Sequence, residues 1–138
     1  MKLENQLCFP IYACSREIIK AYNPLLQKLD LTYTQYIVML VLWEHHTLSV
    51  KEVGEKLYLD SGTLTPLLKK LEAKGLLTRE RSAADERSVL AGLTAQGEAL
   101  KQQALAVPEE MACKVELSEA EFKTMYGLLY KILGDLHQ

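Results

Sequence analysis

The chain has 138 residues, of which 49% are hydrophobic and 25% are charged, and its formal net charge is −2. This length and composition fit one globular domain with a buried core and exclude a disordered chain. The small net charge excludes a uniformly basic nucleic-acid-binding protein. Residues 66–87, however, carry six basic side chains against four acidic ones, and this local excess permits DNA binding.

The amino-terminal stretch MKLENQLC lacks the layout of a secretory signal, because Glu4, Asn5 and Gln6 stand where its apolar core would begin. No apolar run approaches the roughly 20 residues of a membrane span. We therefore expect a cytoplasmic protein without membrane association, whose three cysteines are reduced thiols. The cysteine spacing matches no zinc pattern, and the adjacent His45 and His46 diverge on a helix, so neither a metal site nor another cofactor is expected.

The first two predicted helices are strongly apolar. Apolar residues at helical spacing predict a helix from about residue 5 to 29, with two apolar faces, which indicates packing against more than its own domain. Pro24 is expected to kink or break this helix. The segment TQYIVMLVLWEHH, apolar nearly all round, predicts a buried central helix capped by Thr34.

Capping signals mark the next two helices. Ser49 and Glu52 form a predicted capping box that opens a short third helix. The stretch LYLDSGT predicts a turn, with Asp60 or Ser61 as the N-cap of a fourth helix. Gly75 is a typical C-cap signal at the end of that helix.

The remaining sequence predicts a hairpin and two further helices. Two short segments, 76–81 and 87–93, flank a polar tip and favour a β-hairpin. From Thr94 the apolar spacing is helical again, with a distortion expected at Pro108. A capping box at Ser118 opens the final helix.

This order of elements predicts a mainly α (α+β) fold in a single domain, residues 1–138. A short helix, a turn, a second helix and a hairpin together predict a winged helix-turn-helix, which we assign to residues 34–93 as a DNA-binding lobe. The alternative is a helical bundle with an incidental hairpin. Such a bundle would need neither the polar outer face of the fourth helix nor the arginines beside the hairpin tip.

The fourth helix carries short hydroxyl side chains near its N-terminus, at Ser61, Thr63 and Thr65. These groups are able to reach base edges or phosphates, although Ser61 and Thr63 could instead serve only as caps. Nearby lysines are candidates for neutralising phosphates: Lys51, Lys69 and Lys70.

The hairpin contributes the remaining DNA-binding candidates. Arg87 suits the narrow minor groove, where the negative potential is enhanced. Asp85, two residues earlier, is expected to pair with its guanidinium and hold its orientation. Arg79 and Arg81 are expected to contact the DNA backbone or to form salt bridges within the hairpin.

Three stretches resemble a known family. DERSVLAGLT, from Asp85 to Thr94, fits the wing pattern D-x-R-x5-L-T of MarR-type transcription regulators, and LYLDSGTLTPLLKKLEAKGLLTRERS resembles their recognition helix and first wing strand. LENQLCFPIYACSREI and LTYTQYIVMLVLWEH resemble the OhrR-like branch, which senses organic hydroperoxides. The resemblance implies a homodimeric repressor bound to a pseudo-palindromic double-stranded operator. It also implies that helices within residues 5–30 and 95–138 form the dimer interface.

Cys8 is the candidate sensor. It lies in the first turn of the predicted first helix, where the helix dipole favours a thiolate, and Tyr12 is close enough to donate a hydrogen bond to it. Tyr22 is about 21 Å away along a helix, so it could reach Cys8 only from another subunit, and the same is expected of Tyr33. In OhrR-like proteins two tyrosines of the partner subunit contact the reactive cysteine, and Tyr22 and Tyr33 match their positions.

The resemblance implies that an organic hydroperoxide oxidises the Cys8 thiolate to sulfenic acid and that the dimer then releases its operator. Some relatives close a disulfide with a second cysteine in the C-terminal region of the partner, where Cys113 lies. In others a small thiol caps the sensor, and the sequence leaves this choice open. Cys14, on the apolar stripe of the first helix, is expected to pack in the core.

Other interpretations remain open. Cys8 could be a small buried hydrophobic residue in a MarR-type regulator that responds to a phenolic ligand. A thiol peroxidase is a further alternative. The chain lacks a C-x-x-C motif and a thioredoxin-like βαβ pattern, so we do not expect an enzyme.

Overall fold

The structure, a computed structural model, describes residues 1–137. Its contacts divide the chain into two compact units, Met1–Val107 and Pro108–Gln138. After a short 3-10 helix, Leu3–Asn5, the helices are α1 (Cys8–Gln27), α2 (Tyr33–His45), α3 (Val50–Leu57), α4 (Ser61–Ala73), α5 (Ala95–Ala104), α6 (Ala106–Ala112) and α7 (Glu119–Leu136). The strands are β1 (Thr47–Ser49), β2 (Leu77–Arg81) and β3 (Val89–Leu93).

The strands form one antiparallel sheet in the order β1-β3-β2. Leu77 is opposite Leu93 and Arg81 is opposite Val89, so the predicted hairpin is confirmed. Strand β1 was not predicted, because three residues are too few to show the alternation of a strand. Helices α3 and α4 with this hairpin confirm the predicted mainly α fold with a winged helix-turn-helix.

Helix α1 differs from its prediction at both ends. It begins at Cys8 and ends at Gln27, and it continues through Pro24, so of the two predicted effects of this proline, a kink or a break, the break does not occur. The two residues after the proline, Leu25 and Leu26, are buried, and their packing holds this last turn on the core despite the missing backbone donor.

Helix α2 is the buried centre of the first unit, as predicted. Its N-cap is Thr32, and the prediction of Thr34 was wrong. The Thr32 hydroxyl accepts a hydrogen bond from the Gln35 N–H, while the Gln35 side chain accepts one from the Thr32 N–H. When a threonine lies three residues before a glutamine, each side chain can accept a hydrogen bond from the backbone N–H of the other residue. Thr34 has no glutamine or glutamate at that spacing.

The other capping predictions are confirmed. Ser49 and Ser118 form capping boxes at α3 and α7, and the Asp60 side chain caps α4. Gly75 follows α4 with a φ of 77°, a left-handed conformation that glycine adopts without steric cost.

The predicted helix after Thr94 is interrupted between α5 and α6. Pro108 lacks the N–H that would donate to the carbonyl of Ala104, and its ring would clash with that carbonyl. Ala104 is the last residue of α5. The distortion that Pro108 causes is therefore found one turn before the proline.

Each unit carries exposed apolar side chains. In the first unit they include five residues on α1 or just before it: Leu7, Phe9, Ile11, Tyr12 and Ile18. In the second unit none of the residues of α7 is buried, and three of its rings pack on one another, Phe122, Tyr126 and Tyr130. No helix within residues 1–137 is long and apolar enough to cross a membrane.

Candidate nucleic-acid interface and thiol site

The N-terminus of α4 presents exposed hydroxyl side chains beside the residue that caps the helix. A carboxylate oxygen of Asp60 accepts the Thr63 N–H at 2.7 Å, and this hydrogen bond lowers the pKa of Asp60 below its usual value. Ser61 and Thr63 are exposed. The Thr63 side chain also contacts the Asp60 carboxylate and contributes to this lowering of its pKa. Because Asp60 performs the capping, the hydroxyl of Ser61 is not needed as a cap and is available for another contact.

An open cleft of about 500 Å³ separates α3 and α4 from the tip of the hairpin. Half of the predicted DNA-binding residues line it: Lys51, Thr65, Arg79, Asp85 and Arg87. The others lie outside its walls: Ser61, Thr63, Lys69, Lys70 and Arg81. The fold thus brings together residues that are up to 36 positions apart in the sequence, since Lys51 and Arg87 share the cleft.

Arg79 joins the hairpin to α4. Its Nη2 and Nε donate to Oε1 of Glu72 at 3.1 and 3.3 Å, and its backbone N–H donates to Oε2 at 3.1 Å. Arg79 therefore forms a salt bridge, but not the predicted one within the hairpin, because its carboxylate partner lies on α4. Sequence analysis missed Glu72, which fixes the hairpin relative to α4. The sequence signal that could have identified it is a carboxylate seven residues before Arg79, on the other side of the turn at Gly75.

The hairpin tip is ordered through its backbone. An Asp85 carboxylate oxygen accepts the Arg87 N–H at 3.0 Å, and within residues 1–137 no ion pair joins Asp85 to the Arg87 guanidinium. The predicted pairing of these two side chains was therefore wrong, because a short side chain two residues earlier reaches the backbone of the turn first. Arg81 donates to the carbonyl of Glu86 at 3.1 Å. Arg87 is exposed.

Cys8 is the first residue of α1 and is exposed in the single chain, so it is not a buried hydrophobic residue there. The positive end of the helix dipole favours an anion at this position. No hydrogen bond joins Tyr12 to Cys8 within the described residues; the Tyr12 ring instead lies 5.5 Å from the guanidinium of Arg16. Cys14 is also exposed, so its predicted packing in the core of this chain was wrong.

Tyr22 and Tyr33 meet at the other end of α1. Their ring centroids are 5.1 Å apart, and Tyr36 lies 5.9 Å from Tyr22 and 6.5 Å from Tyr33. Burial raises the pKa of Tyr22, and burial together with the neighbouring Tyr22 raises the pKa of Tyr33. Both hydroxyls thus keep their protons at neutral pH and can donate hydrogen bonds. Sequence analysis missed Tyr36, although its spacing of three from Tyr33 places both on one helix face.

The thiol and the tyrosine pair lie far apart in one chain. Helix α1 is continuous from Cys8 to Tyr22, and this spacing corresponds to about 21 Å. Tyr33 packs on Tyr22 and is therefore also distant from Cys8. Cys113 follows α6 in the second unit and is exposed. Among residues 1–137, no three His, Cys, Asp or Glu side chains are grouped so as to hold a metal ion.

Known proteins are similar to this chain in sequence and in structure. The family of the transcriptional regulators SarA/Rot matches residues 20–104. The organic hydroperoxide resistance transcriptional regulator of Bacillus subtilis is 55% identical over 138 residues, which cover all of this chain and 94% of the relative.

Two solved structures of AbfR, a protein of Staphylococcus epidermidis, are also similar. Reduced AbfR bound to DNA has a TM-score of 0.79 and 38% identity, covering 97% of this chain and 93% of its own. Disulfide-formed AbfR has a TM-score of 0.71 and 36% identity, covering 99% and 93%. With the winged helix and the matched wing residues, these similarities show that the chain belongs to the MarR-type family of transcription regulators, in its organic hydroperoxide branch.

Proposed function

We propose that this chain is a cytoplasmic, homodimeric transcriptional repressor that releases its operator when an organic hydroperoxide oxidises Cys8. The observation that carries the proposal is the position of Cys8, exposed at the start of α1, while Tyr22 and Tyr33 form a protonated pair at its other end. Two such chains crossing antiparallel would place the tyrosines of one at the thiol of the other. A reactive thiol and its hydrogen-bond donors would then be completed only in the dimer.

The cleft between α3, α4 and the wing supports DNA as the partner. Thr65 and Lys51 line one wall and Arg87 the other. We assign the hydroxyls of Ser61, Thr63 and Thr65 to the major groove and Arg87 to the minor groove. The assigned phosphate contacts are Lys51, Lys69, Lys70 and Arg81, while Arg79 and Asp85 hold the wing in place.

Exposed apolar side chains support a dimer. Phe9, Ile11 and Ile18 on α1 and Phe122 and Tyr126 on α7 are exposed in the single chain. Burying such side chains against a second copy removes apolar surface from water, which is favourable at about 25 cal/mol per Å². We therefore assign the interface to α1 and to the helices after Thr94, and two half-sites of a pseudo-palindromic operator would match the twofold symmetry.

The chemistry at Cys8 is a two-electron oxidation. The thiolate sulfur attacks the outer oxygen of ROOH, the S–O bond forms as the O–O bond breaks, and the alkoxide leaves and is protonated to the alcohol ROH. Cys8 becomes a sulfenic acid. Tyr22 and Tyr33 would lose the thiolate that accepted their hydrogen bonds, and the dimer would change shape. Since reduction of ROOH occurs once per thiol, the proposal requires no enzymatic turnover.

Operator binding before and after oxidation tests this function. Fluorescence anisotropy would follow a labelled duplex from upstream of the gene, with reduced protein and then with one equivalent of cumene hydroperoxide. We expect tight binding that is lost on oxidation and restored by dithiothreitol. Tight operator binding that does not change after addition of the peroxide would contradict the sensing role. The protein would then be a regulator that responds to another stimulus, such as a phenolic ligand. Repeated consumption of peroxide with a thiol reductant would instead indicate a peroxidase.

The mass of the oxidised protein tests the proposed role of Cys113. We propose that its thiol attacks the Cys8 sulfenic acid of the partner, so that a disulfide forms and water leaves. Non-reducing electrophoresis is then expected to show a covalent dimer, and Cys113→Ser is expected to remain a monomer band. A single-chain mass increased by a small-thiol adduct in the wild type would contradict this role and indicate capping.

Arg87→Ala is expected to lower operator affinity by about tenfold or more, the usual cost of one base-contacting arginine. The guanidinium is exposed and binds no other side chain of residues 1–137, so its removal should leave the fold intact. Anisotropy titrations at fixed salt would measure the change. Lys28→Ala is the matched control, because Lys28 is exposed at the end of α1 and outside the cleft. Equal affinities for Arg87→Ala and Lys28→Ala would contradict the minor-groove assignment.

A further inference from the structure

Lys74, directly after α4, contacts the turn that joins α1 to α2. Its Nζ donates to the carbonyl oxygen of Asp30 and to Oε1 of Gln35 at 3.3 Å, and it lies 3.5 Å from the Asp30 carboxylate. The Lys74 side chain is 30% exposed and that of Asp30 is 92% exposed, so solvent largely screens the ion pair, and the hydrogen bonds to the Asp30 carbonyl and to Gln35 are the main contacts. Lys74 therefore connects the end of the candidate recognition helix to a segment 39 to 44 residues earlier.

The groups that Lys74 contacts differ in how firmly they are held. Asp30 has a φ of 54°, in the left-handed region that aspartate adopts more readily than most non-glycine residues, and its side chain is exposed. Gln35 is 4% exposed, and the same Oε1 atom accepts the Thr32 N–H at 3.0 Å in the capping box of α2. A displacement of the first turn of α2 therefore moves the Gln35 acceptor for Lys74, and a displacement of the turn before it moves the acceptors on Asp30.

This turn lies between the two tyrosines of the proposed sensor. Tyr22 is on α1 before the turn, and Tyr33 is the first residue of α2 after it. Their rings pack at 5.1 Å, so a rearrangement of either hydroxyl acts on the segment that carries Asp30 and Gln35. Loss of their hydrogen bonds to the thiolate is such a rearrangement.

The opposite end of Lys74 is tied to α4 and to the base of the wing. Its backbone N–H donates to the carbonyl of Lys70, and its own carbonyl accepts the Gln96 side chain at 3.4 Å. Gly75 and strand β2 follow immediately. Within the described part of the chain, every hydrogen bond and ion pair from α4 or Lys74 to residues 28–36 involves the Lys74 ammonium.

We propose that Lys74 is a positioning residue that transmits the rearrangement of Tyr22 and Tyr33 to the recognition helix. The inference rests on the proposed function and adds the link between its two sites. When Cys8 is oxidised, the turn at Asp30 and the cap at Gln35 shift. The ammonium of Lys74 follows its acceptors and draws the C-terminal end of α4 with it.

The test compares operator affinity of reduced and oxidised protein in Lys74→Met, which keeps the length of the side chain without its charge. In the reduced state we expect an affinity within about threefold of the wild type. The ratio of oxidised to reduced Kd in Lys74→Met is expected to be about 3- to 10-fold lower than in the wild type. Lys74→Arg, which keeps a cationic donor, should restore most of the ratio.

Two controls separate transmission from a general loss of structure. Lys28→Met removes a charge from the C-cap of α1 without touching Asp30 or Gln35, and it should keep the wild-type ratio. The rate of sulfenic acid formation at Cys8, followed by mass after dimedone trapping, should be the same in Lys74→Met and the wild type. A purely structural role would not leave the oxidation rate of Lys74→Met equal to that of the wild type while lowering its ratio of oxidised to reduced Kd.

The outcomes are distinguishable from failure of the proposed function. If the oxidised wild-type protein stays bound to its operator, the proposed function itself is contradicted, whatever the result for Lys74. If the wild type releases the operator and Lys74→Met has the same Kd ratio, the link is contradicted and the apolar contacts of α2 with α4 carry the change. Should Lys74→Met not fold, Lys74→Gln keeps a polar side chain but removes the charge and shortens the reach toward Asp30 and Gln35. A lower ratio in that variant supports the link, and an unchanged ratio overturns it.

Discussion

A Cys8→Ser variant is expected to bind the operator as tightly as the wild type under reducing conditions and to stay bound after addition of cumene hydroperoxide. A serine hydroxyl is close in size to the thiol but does not accept the peroxide oxygen. The wild-type affinity should fall on the order of 100-fold on oxidation, the upper range of coupling between two sites. The variant should change less than twofold in the same titration.

Cys14→Ser is the matched control for this prediction. Cys14 lies on the same helix, six residues later, and is exposed in the single chain as Cys8 is. Only Cys8 is at the start of the helix, where the dipole favours the thiolate. We therefore expect Cys14→Ser to release the operator as the wild type does. If Cys14→Ser alone became resistant to peroxide, the sensing thiol would have been assigned to the wrong cysteine.

The parts of the fold that sequence analysis predicted are those that depend on a few neighbouring residues. The capping boxes at Ser49 and Ser118 and the hairpin near its polar tip are set within one turn or one strand pair. Thr32 was missed in favour of Thr34, because both are threonines beside the same apolar run and only the position of Gln35 decides between them. Strand β1 depends on its partner β3, more than 40 residues away, and its own sequence carries no such signal.

In the candidate sites, too, local features were predictable from the sequence and long-range contacts were not. Residue types suited to DNA or to redox chemistry could be named from the sequence, but their contacts depend on the fold. Arg79 binds Glu72, and Asp85 binds the backbone of Arg87 and not its guanidinium. The contact of Lys74 with Asp30 joins positions 44 apart, which no local pattern predicts. The separation of Cys8 from Tyr22 was predictable, because it depends only on the length of one continuous helix.

Gly97→Ala is expected to destabilise the protein by about 3 kcal/mol, at the upper end of the cost of inserting atoms into a packed region. Gly97 lies in the first turn of α5 and is buried. A Cβ at this position would lie 2.2 Å from the carbonyl oxygen of Leu76 and 2.7 Å from Cδ1 of Leu93. The Leu76 carbonyl cannot simply move aside, since it accepts the Thr94 N–H at 3.2 Å.

The same glycine also supports the core of the DNA-binding lobe. Its carbonyl accepts the indole N–H of Trp43 at 2.9 Å, so a shift of α5 that relieved the clash would leave a buried donor without its partner, at a further cost of about 1–3 kcal/mol. Relief of one penalty therefore incurs the other. Because Leu76 and Leu93 flank the two wing strands, the loss of this packing should also weaken operator binding.

Urea denaturation at fixed protein concentration, followed by the fluorescence of the single tryptophan, would measure the effect. Ala99→Gly is the control on the same helix: its side chain is exposed, and the change should cost only about 1 kcal/mol through helix propensity. If Gly97→Ala cost no more than Ala99→Gly, α5 would not be packed directly on the base of the wing. A much larger loss for Gly97→Ala, accompanied by altered tryptophan emission in the native state, would establish that the wing, α5 and the central helix are held together through this one residue.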